Sequence, residues 1–130
     1  MTLVLDTSLI IDIEQRKQST ITQLHRLSTL HPLPAKITFI TEFEFHYGVR
    51  QRTPANKEQA IAVLHKFSVL HTSHKTAELL SELKHAHEKK GVTLPLADLL
   101  IATLAIENDM TLVTKDKDFQ KIEELKSIIL

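Results

Sequence analysis

A chain of 130 residues and 14.8 kDa has room for one domain around one core. Its 42% apolar and 25% charged residues exclude a disordered chain. The absence of cysteine excludes a disulfide scaffold, a thiol nucleophile and any thiolate-held metal, and the balance of sixteen basic against sixteen acidic residues gives no net positive field to hold a nucleic acid.

Leu3, Val4 and Leu5 form a short all-apolar run ending at Asp6, as expected of a strand buried on both faces. Thr7-Ser8 then offers a cap for a helix carrying Leu9, Ile10 and Ile13. The run from Leu3 to Ile13 is interrupted by Asp6 and Asp12 and lacks a basic leader and a small-residue cleavage site, so it does not read as a signal peptide. No segment offers the roughly 20 apolar residues that cross a bilayer, and a cytoplasmic, reducing location is expected. Ile21, Leu24 and Leu27 keep helical spacing until His31-Pro32-Leu33-Pro34 breaks it. Lys36 to Ile40 reads as strand and Thr41 to Arg52 as helix. Pro54 opens a helix with Ala60, Ile61, Leu64 and Phe67 inward.

Ser68 to His71 is a short strand, followed by a helix marked by Ala77, Leu80 and Leu83 and stopped near Gly91. Ala97 to Asn108 is apolar on almost every face and predicts a buried helix. Thr111 to Thr114 reads as strand, Asp118 to Leu125 as a short helix, and Ser127 to Leu130 as a last strand. With no repeat or linker, residues 1–130 read as one unit. Strands alternating with helices predict a three-layer α/β/α sandwich on a mostly parallel sheet, with its site at the carboxyl ends of the strands.

Four carboxylates fall where such a site would lie. Asp6 closes the first strand, although an Asp there also serves as an ordinary helix cap. On a 3.6-residue wheel, Glu42, His46 and Arg50 share a polar face, while Phe43 with Tyr47 and Phe45 with Val49 form apolar rows. Glu44 lies between those rows with Gly48 one turn later. It therefore predicts an inward carboxylate that needs a cation or strong donors, whereas Glu42 is expected at the surface. Asp98 opens the most apolar helix beside the small residues Ala102 and Ala105; the other explanation is a first-turn Asp favoured by the helix dipole. Asp116 stands just beyond the strand that ends at Thr114, and Asp118 is expected to cap the next helix.

Like charges in one cleft repel by several kcal/mol at an effective dielectric of about 20 unless cations neutralise them. Oxygen ligands favour Mg²⁺ or Mn²⁺, and a carboxylate-bound metal suits in-line attack of water on a phosphodiester. The eight histidines show no zinc spacing and are expected at the surface. Two glycines cannot build a phosphate-cradling loop, and no nucleophile elbow occurs.

Leu3-Val4-Leu5-Asp6-Thr7-Ser8 resembles the opening motif of PIN domains. Thr41-x-x-Glu44-Phe45-x-x-Gly48 is similar to their second motif, with Phe45 in place of the usual Leu. Leu94-Pro95-Leu96-Ala97-Asp98-Leu99-Leu100-Ile101-Ala102 is similar to the third, and Leu112-Val113-Thr114-Lys115-Asp116-Lys117-Asp118-Phe119 to the fourth. The four motifs span almost the whole chain in order, and short chains of this kind resemble VapC-type toxins of type II toxin–antitoxin systems.

The resemblance implies a Mg²⁺- or Mn²⁺-dependent endoribonuclease, homodimeric and restrained by a cognate antitoxin. Asp6, Glu44, Asp98 and Asp116 would form its metal-binding catalytic quartet, with Thr7, Ser8 and Thr114 as supporting hydroxyls. The competing readings are a PIN nuclease of RNA maturation or decay and a catalytically silent RNA-binding module. Arg16, Lys17, Arg50, Arg52, Lys115 and Lys117 are candidate phosphate contacts. Leu9, Ile10, Ile13, Ile21 and Leu24 are candidate antitoxin contacts.

Overall fold

The computed structural model describes residues 1–130. In chain order it contains β1 (Leu3–Leu5), α1 (Thr7–Glu14), α2 (Gln18–Leu30), β2 (Lys36–Thr38), α3 (Phe39–Gly48), α4 (Pro54–Leu64), β3 (Ser68–Leu70), α5 (His74–Lys89), α6 (Leu96–Glu107), β4 (Thr111–Thr114), a 3₁₀ turn (Lys117–Lys121) and β5 (Ser127–Ile129). The strands form one sheet in the order β3-β2-β1-β4-β5. Every pairing is parallel, with Leu5 opposite Val113 and Thr38 opposite Leu70.

Alternation along the strands makes the three layers. Leu3 and Leu5 point to one face, where they join Leu9, Ile10, Phe45, Val49, Ala60 and Leu64 from α1, α3 and α4. Val4 points to the other, against Leu83, Leu99, Ala102 and Ala105 from α5 and α6. A strand with both faces covered needs apolar residues at every position, which explains the unbroken Leu3-Val4-Leu5 run. Helix α6 is buried at Leu99 and from Ile101 through Ala105.

The strand order also locates the site. From β1 the chain winds outward through β2 to β3, then returns to the other side of β1 with β4. The two windings diverge between β1 and β4, and a cleft opens at the carboxyl ends of strands at such a switch point. The backbone N–H of Asp6 donates to the Val113 carbonyl at 3.0 Å, which ties the end of β1 to β4.

Three local expectations are corrected. Asp6, rather than Thr7 or Ser8, caps α1: its φ of −71° and ψ of 159° are extended, and its Oδ1 accepts the Thr7 N–H at 2.8 Å. Helix α3 starts at Phe39, because Thr38 caps it by accepting the Thr41 N–H at 3.2 Å. The segment after β4 is a 3₁₀ turn capped by Asp116, not a helix capped by Asp118.

Candidate active site

The cap that starts α1 brings the first carboxylate to the switch point. Asp6 is 9% exposed, with Oδ1 on the Thr7 N–H and Oδ2 accepting the Thr114 hydroxyl at 2.7 Å. Burial raises its pKa and the two hydrogen bonds oppose that rise, while the Asp116 charge adds to it; the net shift is upward. Thr114 is fully buried, and its Oγ1 also accepts the Asp116 N–H at 3.0 Å. One hydroxyl thus links the ends of β1 and β4. Asp116 itself is exposed, with Oδ1 accepting the Asp118 N–H at 2.9 Å.

Glu44 arrives from α3, half-buried, with Oε1 accepting the Thr7 hydroxyl at 2.6 Å. The Thr7 oxygen lies 3.0 Å from that of Thr41, which is buried beneath it. The Thr41 side chain fixes Thr7, and Thr7 fixes Glu44. Thr41 lies in the second motif, but its part in holding Glu44 depends on a contact across 34 residues that no spacing rule reports. Ser8 is half-buried, and its hydroxyl makes no hydrogen bond.

Asp98 is the least compensated of the four. It stands half-buried in the first turn of α6, and no donor reaches its carboxylate. Burial is the largest influence on it, followed by the charges of Asp6, Asp116, Glu44 and Asp118, and together they push its pKa up to about 6. Asp98 therefore feels the charges of the other three predicted carboxylates. No three carboxylate or imidazole groups stand close enough to form a closed metal cage. The chemistry of the set nonetheless fits a hard divalent cation: all donors are oxygen, and their uncompensated charge centres on Asp98.

Several surface expectations change. Glu42 is half-buried rather than exposed, whereas Phe43 and Tyr47 are 57% and 70% exposed. Only the Thr41–Phe45–Val49 row of α3 faces the core, so Glu44 and Glu42 sit on opposite shoulders of that row. A methyl group at Gly48 would meet no atom within 4 Å, so the glycine borders open space rather than a close contact. That space is a groove of about 210 Å³ between α1 and α3, lined by Ile11, Gln15, Glu44 and Arg52 among others.

Two of the candidate phosphate contacts are already engaged. Arg52 pairs with Glu14, and Lys115 pairs with Asp12, which also accepts the Thr20 hydroxyl at 2.6 Å. His87 is buried, contrary to a surface role: its Nδ1 lies 2.7 Å from the Leu83 carbonyl oxygen and its Nε2 3.8 Å from Glu124. Leu9 and Ile10 are fully buried in the core and cannot contact a partner; Ile13, Ile21 and Leu24 are half-buried.

A family model for the PIN domain matches residues 3–125. The chain belongs to the PIN-domain family. It is 26% identical over 127 residues to Ribonuclease VapC2 of Rickettsia felis, covering 96% of this chain and 95% of that protein. Its structure is similar to that in VapBC2 of Rickettsia felis bound to a DNA fragment from their promoter, with a TM-score of 0.87 and 27% identity over 100% of this chain and 99% of the other. VapBC-1 of nontypeable Haemophilus influenzae gives a TM-score of 0.80 and 28% identity over 99% and 98% of the two chains. No helix of this PIN domain is long and apolar enough to cross a membrane.

Proposed function

We propose that this chain is a metal-dependent endoribonuclease that hydrolyses RNA phosphodiester bonds, the toxin of a type II toxin–antitoxin pair acting in the cytoplasm. The observation that carries the reading is the bare Asp98 carboxylate, pushed to a pKa of about 6 among Asp6, Glu44 and Asp116 at the switch point of a PIN fold. The likeness to Ribonuclease VapC2 and to chains within VapBC assemblies supports both the activity and a cognate antitoxin.

In this reading Asp6, Asp98 and Asp116 hold Mg²⁺ or Mn²⁺, with Glu44 at the edge of the set. The cation supplies a local positive charge that offsets the carboxylates and the scissile phosphate and acidifies water. Asp6 is anchored through both oxygens, so its side chain keeps one orientation. Glu44 is held at Oε1 by Thr7, which leaves Oε2 to accept a proton from water aligned against the phosphorus. Thr114 keeps Asp6 and the Asp116 backbone in register across β1 and β4. The homodimer implied by the family resemblance belongs to the same proposal.

Expression with and without a small neighbouring antitoxin gene, followed by mapping of RNA ends, tests it. Growth arrest with new RNA ends, both relieved by the neighbour and abolished by Asp98→Asn, is the expected result. Normal growth and intact RNA on expression alone would refute the toxin reading. A folded Asp98→Asn variant that still produces the new RNA ends would remove the site assignment.

A further inference from the structure

A carboxylate just past the end of a strand is only as fixed as the bonds that hold that end. At β4 the Thr114 carbonyl accepts the Leu130 N–H at 2.9 Å, and the Thr114 hydroxyl donates to Asp6 at 2.7 Å. Two residues on, the Asp116 N–H donates to the Thr114 hydroxyl at 3.0 Å, and its carbonyl accepts only a long 3.4 Å bond from the Phe119 N–H. Lys115, between them, makes no backbone hydrogen bond at all. Its one hydrogen-bonded tie to another element is the ion pair between its Nζ and Asp12 of α1.

Alternation explains why that side chain reaches α1. Leu112 packs with α5 and α6, and Val113 packs with α1 and α3 on the other face. Lys115 repeats the direction of Val113. Asp12 meets it as a prepared anchor. Its side chain is 14% exposed, it accepts the hydroxyl of the fully buried Thr20 at 2.6 Å, and its carbonyl accepts the Lys17 N–H at 2.9 Å. An ion pair between two mobile, hydrated side chains gains little, because ordering both offsets the attraction. Here one partner is already ordered and Lys115 is 32% exposed. The Lys126–Asp109 pair beside the opposite end of β4 is of the loose kind, at 54% and 83% exposed.

We propose that Lys115 is a positioning residue for the cation site: tethered to Asp12 on the α1 face, it holds the arm from Thr114 to Asp116 so that the Asp116 carboxylate stays in the cleft with Asp6 and Asp98. Lys115 itself touches neither the cation nor the RNA. The inference rests on the metal-dependent reading and extends the site to an ion pair outside the four carboxylates. Charges beside a cation site also act through space, but with opposite signs. Deleting the Lys115 charge would tighten cation binding, whereas deleting the Asp12 charge would loosen it. A tether gives one sign for both, since losing either end frees the arm.

The test titrates the intact protein with Mn²⁺ in the absence of RNA and reads the free ion by electron paramagnetic resonance. Lys115→Met keeps an apolar stem without the charge. Asp12→Ala is made together with Thr20→Val, so that no buried hydroxyl is stranded, and is compared with Thr20→Val alone. Each loss should weaken Mn²⁺ binding by about 10-fold, and the two combined should do no more than either. Lys115→Arg keeps the cation and should restore affinity, and Lys126→Met should leave it unmoved. In chelator, where no cleavage occurs, Lys115→Met should bind a short fluorescent RNA as the wild type does.

Opposite shifts in the two variants, or losses that add in the combined one, would make the effect electrostatic and overturn the tether. Unchanged Mn²⁺ affinity in both, whatever their melting temperatures, would make the pair a support of the fold alone and overturn it too. Weaker RNA binding by Lys115→Met, with the slope of log affinity against log salt reduced by about one, would make Lys115 a phosphate contact instead. A wild type that binds Mn²⁺ but cuts no RNA removes the nuclease reading and leaves the tether standing; one that binds no Mn²⁺ removes both.

Discussion

Replacing Asp98 by Asn removes one negative charge from the cleft at nearly constant volume. Burial and the neighbouring carboxylates raise this group from an ordinary pKa of 3.8 to about 6. At pH 8 a shift of that size corresponds to about 3 kcal/mol against the ionised form. Because water reaches the half-buried side chain, about 1 kcal/mol of it counts against folding. No hydrogen bond is lost, since no donor reaches the carboxylate. Metal-free Asp98→Asn should therefore melt about 3–5 °C above the wild type at pH 8. Mn²⁺ should stabilise the wild type through preferential binding to the folded state and should stabilise the variant much less. RNA cleavage should fall by at least about 100-fold. Thermal melts with and without Mn²⁺, run beside a cleavage assay, measure all three. An Asn variant that melts below the wild type without metal would show that Asp98 makes a favourable contact and that the repulsion argument is wrong; one that keeps full activity would remove Asp98 from the chemistry.

The same shift has a defined pH signature. Between about pH 4 and 6 the folded Asp98 binds more protons than the unfolded chain, so its contribution to metal-free stability declines as pH rises through that window and is lowest above it. The difference in melting temperature between wild type and Asp98→Asn should therefore grow from pH 4 to pH 7, and a constant difference would contradict it. Thr7→Val removes the hydroxyl that holds Glu44 and should cost about 1 kcal/mol in a denaturant titration and about 10- to 100-fold in cleavage. Glu42→Gln, on the opposite shoulder of α3, should change stability by less than about 0.5 kcal/mol and leave cleavage intact. Asp116→Asn keeps an oxygen to accept the Asp118 N–H, so its melting temperature should match the wild type while cleavage drops.

The layers were readable because they depend on local pattern. Leu3-Val4-Leu5 announces a two-sided strand, and the apolar stretch from Ala97 announces a buried helix; both lie in the sheet centre and its cover. Alternation of strands and helices then limits the topology to right-handed parallel crossovers, and the switch point follows from strand order. The shoulders of α3 were less readable. A wheel assigns Phe43 and Tyr47 inward by hydrophobicity alone, but the core accepts only the Thr41–Phe45–Val49 row because α3 packs on the sheet along a narrow contact. Aromatics outside that row are left in water, and hydropathy carries no sign of which row the neighbours will cover. Likewise Lys115 resembles any exposed lysine until Asp12, distant in sequence and itself held by the Thr20 hydroxyl, pairs with it.

Asp6 shows why a capping role and a ligand role need not compete. A carboxylate offers about four lone-pair positions. Here one is used by the Thr7 N–H and one by the Thr114 hydroxyl. Those two donors reduce the cost of keeping a buried charge, and they also stop the side chain from turning away from the cleft. Asp98 has neither advantage and carries the raised pKa of about 6. The two carboxylates therefore differ in kind: Asp6 is oriented by the fold, whereas Asp98 is left for a cation to satisfy. That division makes Asp6→Asn the structurally costlier change, since an Asn that keeps its oxygen on the Thr7 N–H turns its NH2 towards the donating Thr114 hydroxyl, and Asp98→Asn, which breaks no hydrogen bond, the one that most directly reports what the cleft holds.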